Sequence, residues 1–209
     1  MTRHHRSIRA AALTLAAAAF PLIVSAQGTQ PPARVRATIN AVHGNAVDVT
    51  DTSGTKATVA LPANVSVTQV APIEPSAIQA GSYIGTAAVR QADGTLRALE
   101  VHVFPEAMRG TGDGHRPYDL GANSSMTNGT VEQAGPVTGA RGRTLSVRYK
   151  DGEQRIVVPP EVPIVTFAPG RRDELKAGAH VVMFVRADAQ GVLTAQRVLV
   201  GKDGMVPPM

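Results

Sequence analysis

Apolar and polar positions alternate along this chain in short runs, and the runs come round twice. Val35, Ala37 and Ile39 alternate with Arg36, Thr38 and Asn40, the period-two pattern of a half-buried strand. Val47 and Val49 open a second strand, Asp51-Thr52-Ser53-Gly54 turns the chain, and Ala57, Val59 and Leu61 return it. Pro62 ends that strand because proline cannot donate to a sheet ladder. Val65 and Val67 start another short strand. A single helical turn is expected between Ala71-Pro72 and Ala80-Gly81, with Gly81 as its stop. The last hairpin runs from Tyr83 to Arg90, turns at Gln91–Gly94 and returns over Leu96–Val103.

The segment 59–104 overlays 156–201 without a gap at an offset of 97 residues. Pro62, Val65, Ala71-Pro72, Ala80-Gly81, Gly94, Leu96, Ala98 and Val101 recur as Pro159, Val162, Ala168-Pro169, Ala177-Gly178, Gly191, Leu193, Ala195 and Val198. Upstream, Gly44, Val47 and Val49 pair with Gly142, Leu145 and Val147. A repeated unit is a folding unit, so shared positions report architecture, and function sits where the copies differ or between them. The inward phase slips between Ala98 and Val101 and again between Ala195 and Val198, which predicts a β-bulge in each closing strand. Short strands, Gly-rich turns and almost no helix predict an all-β chain of two tandem small antiparallel β-barrels, OB-like, joined by a long Gly-rich loop.

This reading divides the chain into a signal peptide (1–26), a flexible lead (27–34), barrel repeat 1 (35–104), an inter-repeat loop (105–126), barrel repeat 2 (127–201) and a C-terminal tail (202–209). The leader reading rests on Arg3, Arg6 and Arg9, the apolar run Ala10–Val24, and the small residues Val24-Ser25-Ala26 at a cleavage site. The rival reading is a retained membrane anchor, but the run is short for a spanning helix, which needs about 20 residues, so a periplasmic or secreted protein is expected. Taking its three arginines from the 21 basic residues leaves 18 against 16 acids, so the working chain is nearly neutral. No Lys/Arg run marks a nucleic-acid patch. With no cysteine there is no disulfide or thiolate metal site.

The central loop gathers the candidate chemistry. His115 with Asp113 and Asp119, and His102 from the preceding strand, could hold a divalent metal, since imidazole and carboxylate suit zinc or manganese. The bland alternative is an ordered polar linker whose Arg116 and Asp119 pair with the barrels. Arg109, Arg116 and Tyr118 are candidate partner contacts. Gly110-x-Gly112-x-Gly114 lacks the following helix of a phosphate loop, because Pro117 comes almost at once. Ser124-Ser125 have no nucleophile elbow, His43 precedes a turn, and His180 corresponds to Tyr83 of the other copy. No catalytic residue is therefore assigned, and no cofactor beyond a possible divalent metal. Beyond the leader the aromatics are Tyr83, Phe104, Tyr118, Tyr149, Phe167 and Phe184, too few for a base- or sugar-stacking platform.

The residues Gly44, Val47, Val49, Leu61-Pro62, Ala80-Gly81 and Gly94-x-Leu96-x-Ala98-x-x-Val101, with their counterparts, make a pattern that resembles the exported bacterial proteins grouped as domain of unknown function 5666. The resemblance covers both repeats. It implies small β-barrel domains and an envelope location, and brings no catalytic residues. Some relatives carry labels tied to metal transport, which implies a periplasmic accessory role as the alternative to the leading expectation. That expectation is a non-enzymatic exported protein that binds a protein or cell-envelope partner and does not span the membrane.

Overall fold

The computed structural model describes residues 32–136 and 142–209. The expected leader, most of the flexible lead and most of the Pro136–Arg141 insertion lie outside the described residues. The chain is all-β. Its strands are β1 (Ala33–His43), β2 (Ala46–Asp51), β3 (Lys56–Ala60), β4 (Ser66–Pro72), β5 (Tyr83–Arg90) and β6 (Leu96–Val103). They continue with β7 (Gly114–Pro117), β8 (Ser124–Ala134), β9 (Arg143–Tyr149), β10 (Gly152–Val158), β11 (Ile164–Pro169), β12 (His180–Ala187) and β13 (Leu193–Gly201).

The tandem arrangement expected from the repeats is replaced by an exchange. One closed five-stranded ring runs β10-β9-β8-β5-β6 and returns from β6 to β10. It therefore takes its hairpin β5–β6 from the first repeat and β8–β10 from the second. The other strands follow the complementary circuit, β13-β12-β1-β2-β3, with β3 returning to β13. Both returns are parallel and equivalent: Ile156 faces Leu96, and Leu193 faces Val59. The sheet is thus not purely antiparallel.

At the centre β4 and β11 cross antiparallel, and Val70 faces Phe167, its own counterpart 97 residues on. β4 also pairs in parallel with β13, and β11 with β6. Each repeat's fourth strand therefore leaves its own first three strands and carries the following hairpin into the other ring.

Alternation dictates which side chains fill the rings. Ile84, Leu96, Ala98, Val131, Leu145, Val147 and Ile156 form one core, while Ile39, Val47, Val49, Val59, Val181 and Ala195 form the other. The predicted bulges are present. Register slips in β5–β6, where Ala87 and Ala88 face Glu100 and Ala98, and in β12–β13, where Phe184 and Val185 face Arg197 and Ala195. A second pair of slips interrupts β1 between Ile39 and Ala41 and β8 between Val131 and Gln133. Extra residues of this kind increase local twist and help a short sheet curl closed. The expected single turns are 3-10 turns at Pro75–Ala77 and Arg172–Glu174, followed by Gly81 and Gly178 at φ of 88° and 85°. The amide of Gly178 donates to Ile39 O, and that of Gly81 to Val131 O, so each turn also seals the exchanged ring.

Two boundaries move. β1 begins at Ala33 rather than Val35, because Ala33 and Arg34 pair with Val185 and Phe184 of β12. β8 begins at Ser124 rather than residue 127, because β7 pairs with it. Between the rings lies a third apolar layer of Val70, Val165, Phe167, Val182, Leu199 and Met209.

The exchange has a direct test, since the chain has no native cysteine. Thr194 is the parallel neighbour of Ala60, within the roughly 4.4–6.8 Å Cα range that a disulfide spans. Ala60→Cys/Thr194→Cys is expected to oxidise within one chain, whereas Ala60→Cys/Arg97→Cys, the partners in an unexchanged tandem, stays reduced. Mobility on non-reducing gels and mass spectrometry read the result, and the opposite outcome would restore the tandem order.

Candidate functional site

The central segment, present once, folds as a 3-10 turn (Glu106–Met108) followed by β7 along the edge of β8. Its polar residues are held to both exchanged halves. Arg109 clasps Glu106 at 2.7 Å and donates to Gly81 O at 3.0 Å. Asp113 accepts from the Lys150 amide at 2.7 Å and the Tyr83 hydroxyl at 3.3 Å. Burial and the Asp113 charge push the Tyr83 hydroxyl up to about 12. His115 Nδ1 lies 2.8 Å from Thr127 Oγ1, and its ring stacks on Tyr149. Arg116 is exposed and donates to Gly112 O at 2.8 Å.

Asp119 accepts from Arg34 and, at 3.0 Å, from Arg36. Desolvation opposes its charge, but the Arg36 hydrogen bond and the two guanidinium charges prevail and hold its carboxyl below the usual range. Ser124 Oγ donates to Tyr118 O and Gly121 O at 2.9 and 2.8 Å, closing the turn into β8.

The four metal candidates therefore occupy four separate settings. Asp113 and His115 point to different partners, Asp119 sits with Arg34 and Arg36, and His102 is buried on β6 beside Glu100. Among the described residues, no three His, Asp or Glu side chains gather as a metal would require. Sequence proximity brought them together on paper. Their separate partners keep them apart: Asp113 is held by the Lys150 amide, His115 on β7 by Thr127, Asp119 beyond β7 by the β1 arginines, and His102 lies on β6.

A different constellation emerges at the seam between the rings. The bulge after Ala98 turns Glu100 and His102 away from their ring's core and into the third apolar layer. Glu100 is fully buried and His102 is 4% exposed. His102 Nε2 lies 3.2 Å from Glu100 Oε1 without hydrogen-bond geometry, so that atom and both carboxylate oxygens are unsatisfied. Asn128 donates to Thr111 O at 2.9 Å, yet its Oδ1, also buried, has no partner. Arg34 Nε completes the group. Buried polar atoms are nearly always paired, so these atoms call for a partner such as water, an ion or a ligand. Gly85 makes room for it: a Cβ there would stand 2.7 Å from Asn128 Oδ1 and 3.1 Å from Phe104.

Above these groups opens a cavity of about 190 Å³ whose lining includes Arg34, His102, Tyr118, Asn128, Phe184 and Arg197. Arg34 lies 4.5 Å from the Tyr118 ring centroid and 5.4 Å from that of Phe184, and Arg197 lies 4.1 Å from Phe184. Phe184 thus contacts both guanidiniums. Burial, then the neighbouring Arg34 charge, lowers the Arg197 pKa from its ordinary value. Burial and then the Glu100 charge raise Tyr118 to about 12, so its hydroxyl stays protonated. A larger groove of about 520 Å³ lies beside Gln69, Arg171 and Glu174, where Gln69 donates to Glu174 at 2.7 Å and Arg171 pairs with Asp173.

Of the expected site residues, Tyr118, Arg116 and His102 line the seam cavity, and Asp119 fixes its arginines. Glu100, Arg34, Arg197 and Asn128 were not singled out in the sequence. The signal for two of them was the repeat itself: Glu100 and Arg197 are counterparts 97 residues apart, and so are His102 and Leu199. An acid matched to a base at one bulge position is a difference that architecture does not require. No protein-family model, curated protein or solved structure matches the chain. No helix among the described residues is long and apolar enough to cross a membrane.

Glu100→Met is expected to stabilise the fold by about 1–3 kcal/mol in urea titrations, since an unsatisfied buried carboxylate gives way to an apolar chain of similar size. A loss of stability would mean that the carboxylate has a structural role the geometry does not show. His115 gives a pH test. Burial, then the nearby Arg90 charge, holds its folded pKa below 6.5. The unfolded chain therefore binds the proton first, and the stabilisation is present above about 6.5 and lost as pH falls below it. His115→Gln is expected to flatten the decline of unfolding free energy between about pH 7 and 5.5 relative to wild type. Parallel curves would disprove the burial of this ring.

Proposed function

We propose that this chain is an exported, non-catalytic binding protein that meets a protein or cell-envelope partner at the seam between its exchanged rings. The observation that carries this reading is the position of the central segment. It belongs to neither repeat, it is tied through Asp119 to β1 and through Asp113 and His115 to β8 and the β9–β10 turn, and it walls the one polar cavity of the seam described above. Arg109 and Arg116 are exposed beside that wall. Binding residues commonly sit on such connecting segments held by a rigid scaffold.

The non-catalytic part of the reading draws on how the hydroxyls and imidazoles are used. Ser124 and Thr127 are committed to turn and ring contacts, and His180 Nδ1 lies 3.0 Å from Thr38 Oγ1 on the far ring. Export draws on the basic, apolar and small-residue succession of the first 26 residues. The repeat pattern's resemblance to exported bacterial proteins points the same way.

Affinity capture from an envelope extract tests the reading. The wild-type chain is expected to retain a discrete partner, and Arg109→Glu/Arg116→Glu to retain at least about tenfold less, since reversing rim charges adds repulsion. Equal retention by both forms, or retention of nothing by wild type, would remove the seam as a recognition surface.

A further inference from the structure

The geometry points to a specific ligand chemistry for the seam cavity: a small organic monocarboxylate with an apolar, planar or branched body. This rests on the seam being a recognition site and adds what it recognises. Three observations converge on it.

The first is an unspent cation. Among the described residues the Arg197 side chain makes no ion pair or hydrogen bond; its guanidinium lies over the Phe184 ring. Arg34 shares the single carboxylate of Asp119 with Arg36, and its Nε is buried without a partner. A guanidinium held over an aromatic ring keeps N–H donors free, and two of them can match a carboxylate bidentately.

The second is the charge count. Arg34, Arg116 and Arg197 line the cavity, and the carboxylate paired with them is that of Asp119 on Arg34, so the lining is net positive. Such a lining favours an anion over a neutral ligand. The apolar part of the lining favours an organic carboxylate over inorganic phosphate, which has no apolar body to bury there.

The third is size and lining. A volume of about 190 Å³ is below the roughly 300–1,000 Å³ of drug-sized sites. Much of the wall away from the arginines is apolar, from Phe104, Met108, Phe167 and Leu199. Two orphaned and more than nine-tenths buried atoms, His102 Nε2 and Asn128 Oδ1, also lie at this wall and can bond a polar atom of the ligand. A charged head against the guanidiniums and a compact apolar body against the phenyl rings satisfies both halves of the cavity.

Benzoate is the probe, titrated into the full chain by calorimetry and saturation-transfer NMR. Benzamide, its neutral isostere, and inorganic phosphate serve as comparisons. Saturable benzoate binding is expected, with benzamide and phosphate each at least about tenfold weaker, because the charge-assisted pair is the main polar contact. Arg197→Gln is expected to weaken benzoate at least about tenfold. Arg197→Lys restores little of it, since an ammonium lacks the fork. Leu199→Phe, which fills the cavity without touching a charge, is expected to abolish binding, and unchanged melting curves establish that the variants fold. No saturation up to roughly 10 mM, indifference to Arg197→Gln, or tighter phosphate would overturn the inference. If benzoate fails while partner capture still depends on Arg109 and Arg116, the carboxylate assignment falls and the seam remains a recognition surface. If benzoate binds and no partner is captured, the cavity stands and the macromolecular reading falls.

Discussion

The rest of the structure depends on one pairing, the antiparallel crossing of β4 and β11. Because Val70 faces its own counterpart Phe167, the two fourth strands are related by a local two-fold, and each must carry its chain away from the ring it came from. Both rings then close only with a hairpin delivered from the other repeat, through the parallel contacts of Ile156 with Leu96 and Leu193 with Val59. Backbone hydrogen bonds leave little choice here. A fourth strand without its partner would expose a row of amides and carbonyls along a sheet edge.

The crossing also creates the seam. β6 and β13 flank β11 and β4, and their bulges rotate Glu100, His102, Arg197 and Leu199 outward into the shared layer. In a symmetric protein these positions would carry the same residues. Here one side carries an acid and an imidazole and the other a base and an aliphatic chain, so the layer has polarity across its local two-fold. The central segment deepens the asymmetry: Asp119 draws in Arg34 and Arg36 from β1, and Tyr118 covers Arg34. The seam thus combines desolvated charge, orphaned hydrogen-bonding atoms and aromatic walls, features costly in a core and useful in a recognition site.

The surrounding ion pairs contribute much less. Arg148 with Glu132, Arg171 with Asp173 and Arg97 with Glu161 are exposed, where solvent screening and side-chain entropy leave a pair little net effect. Apolar burial inside the two rings holds the fold, and the seam groups draw on that stability rather than add to it.

The sequence alone determined the strands of both repeats, their inward faces, the single turns before Gly81 and Gly178, and the bulges of the closing strands, because each is set by contacts a few residues apart; β7 and the start of β8, inside the expected loop, were not legible. Alternation, prolines and turn glycines record such contacts directly. It also marked residues 105–126 as the segment outside both repeats. Only the tertiary structure decided which hairpin completes which ring. Corresponding residues are chemically alike, so Val59 meets Leu193 or Leu96 with nearly the same burial, and local pattern cannot distinguish exchange from tandem closure. The candidate site followed from that decision. His102 was visible as an unusual strand residue, but Glu100, Arg34, Arg197 and Asn128 come from four strands whose meeting depends on the crossing of β4 and β11. Their convergence is a long-range fact, and no spacing along the chain encodes it.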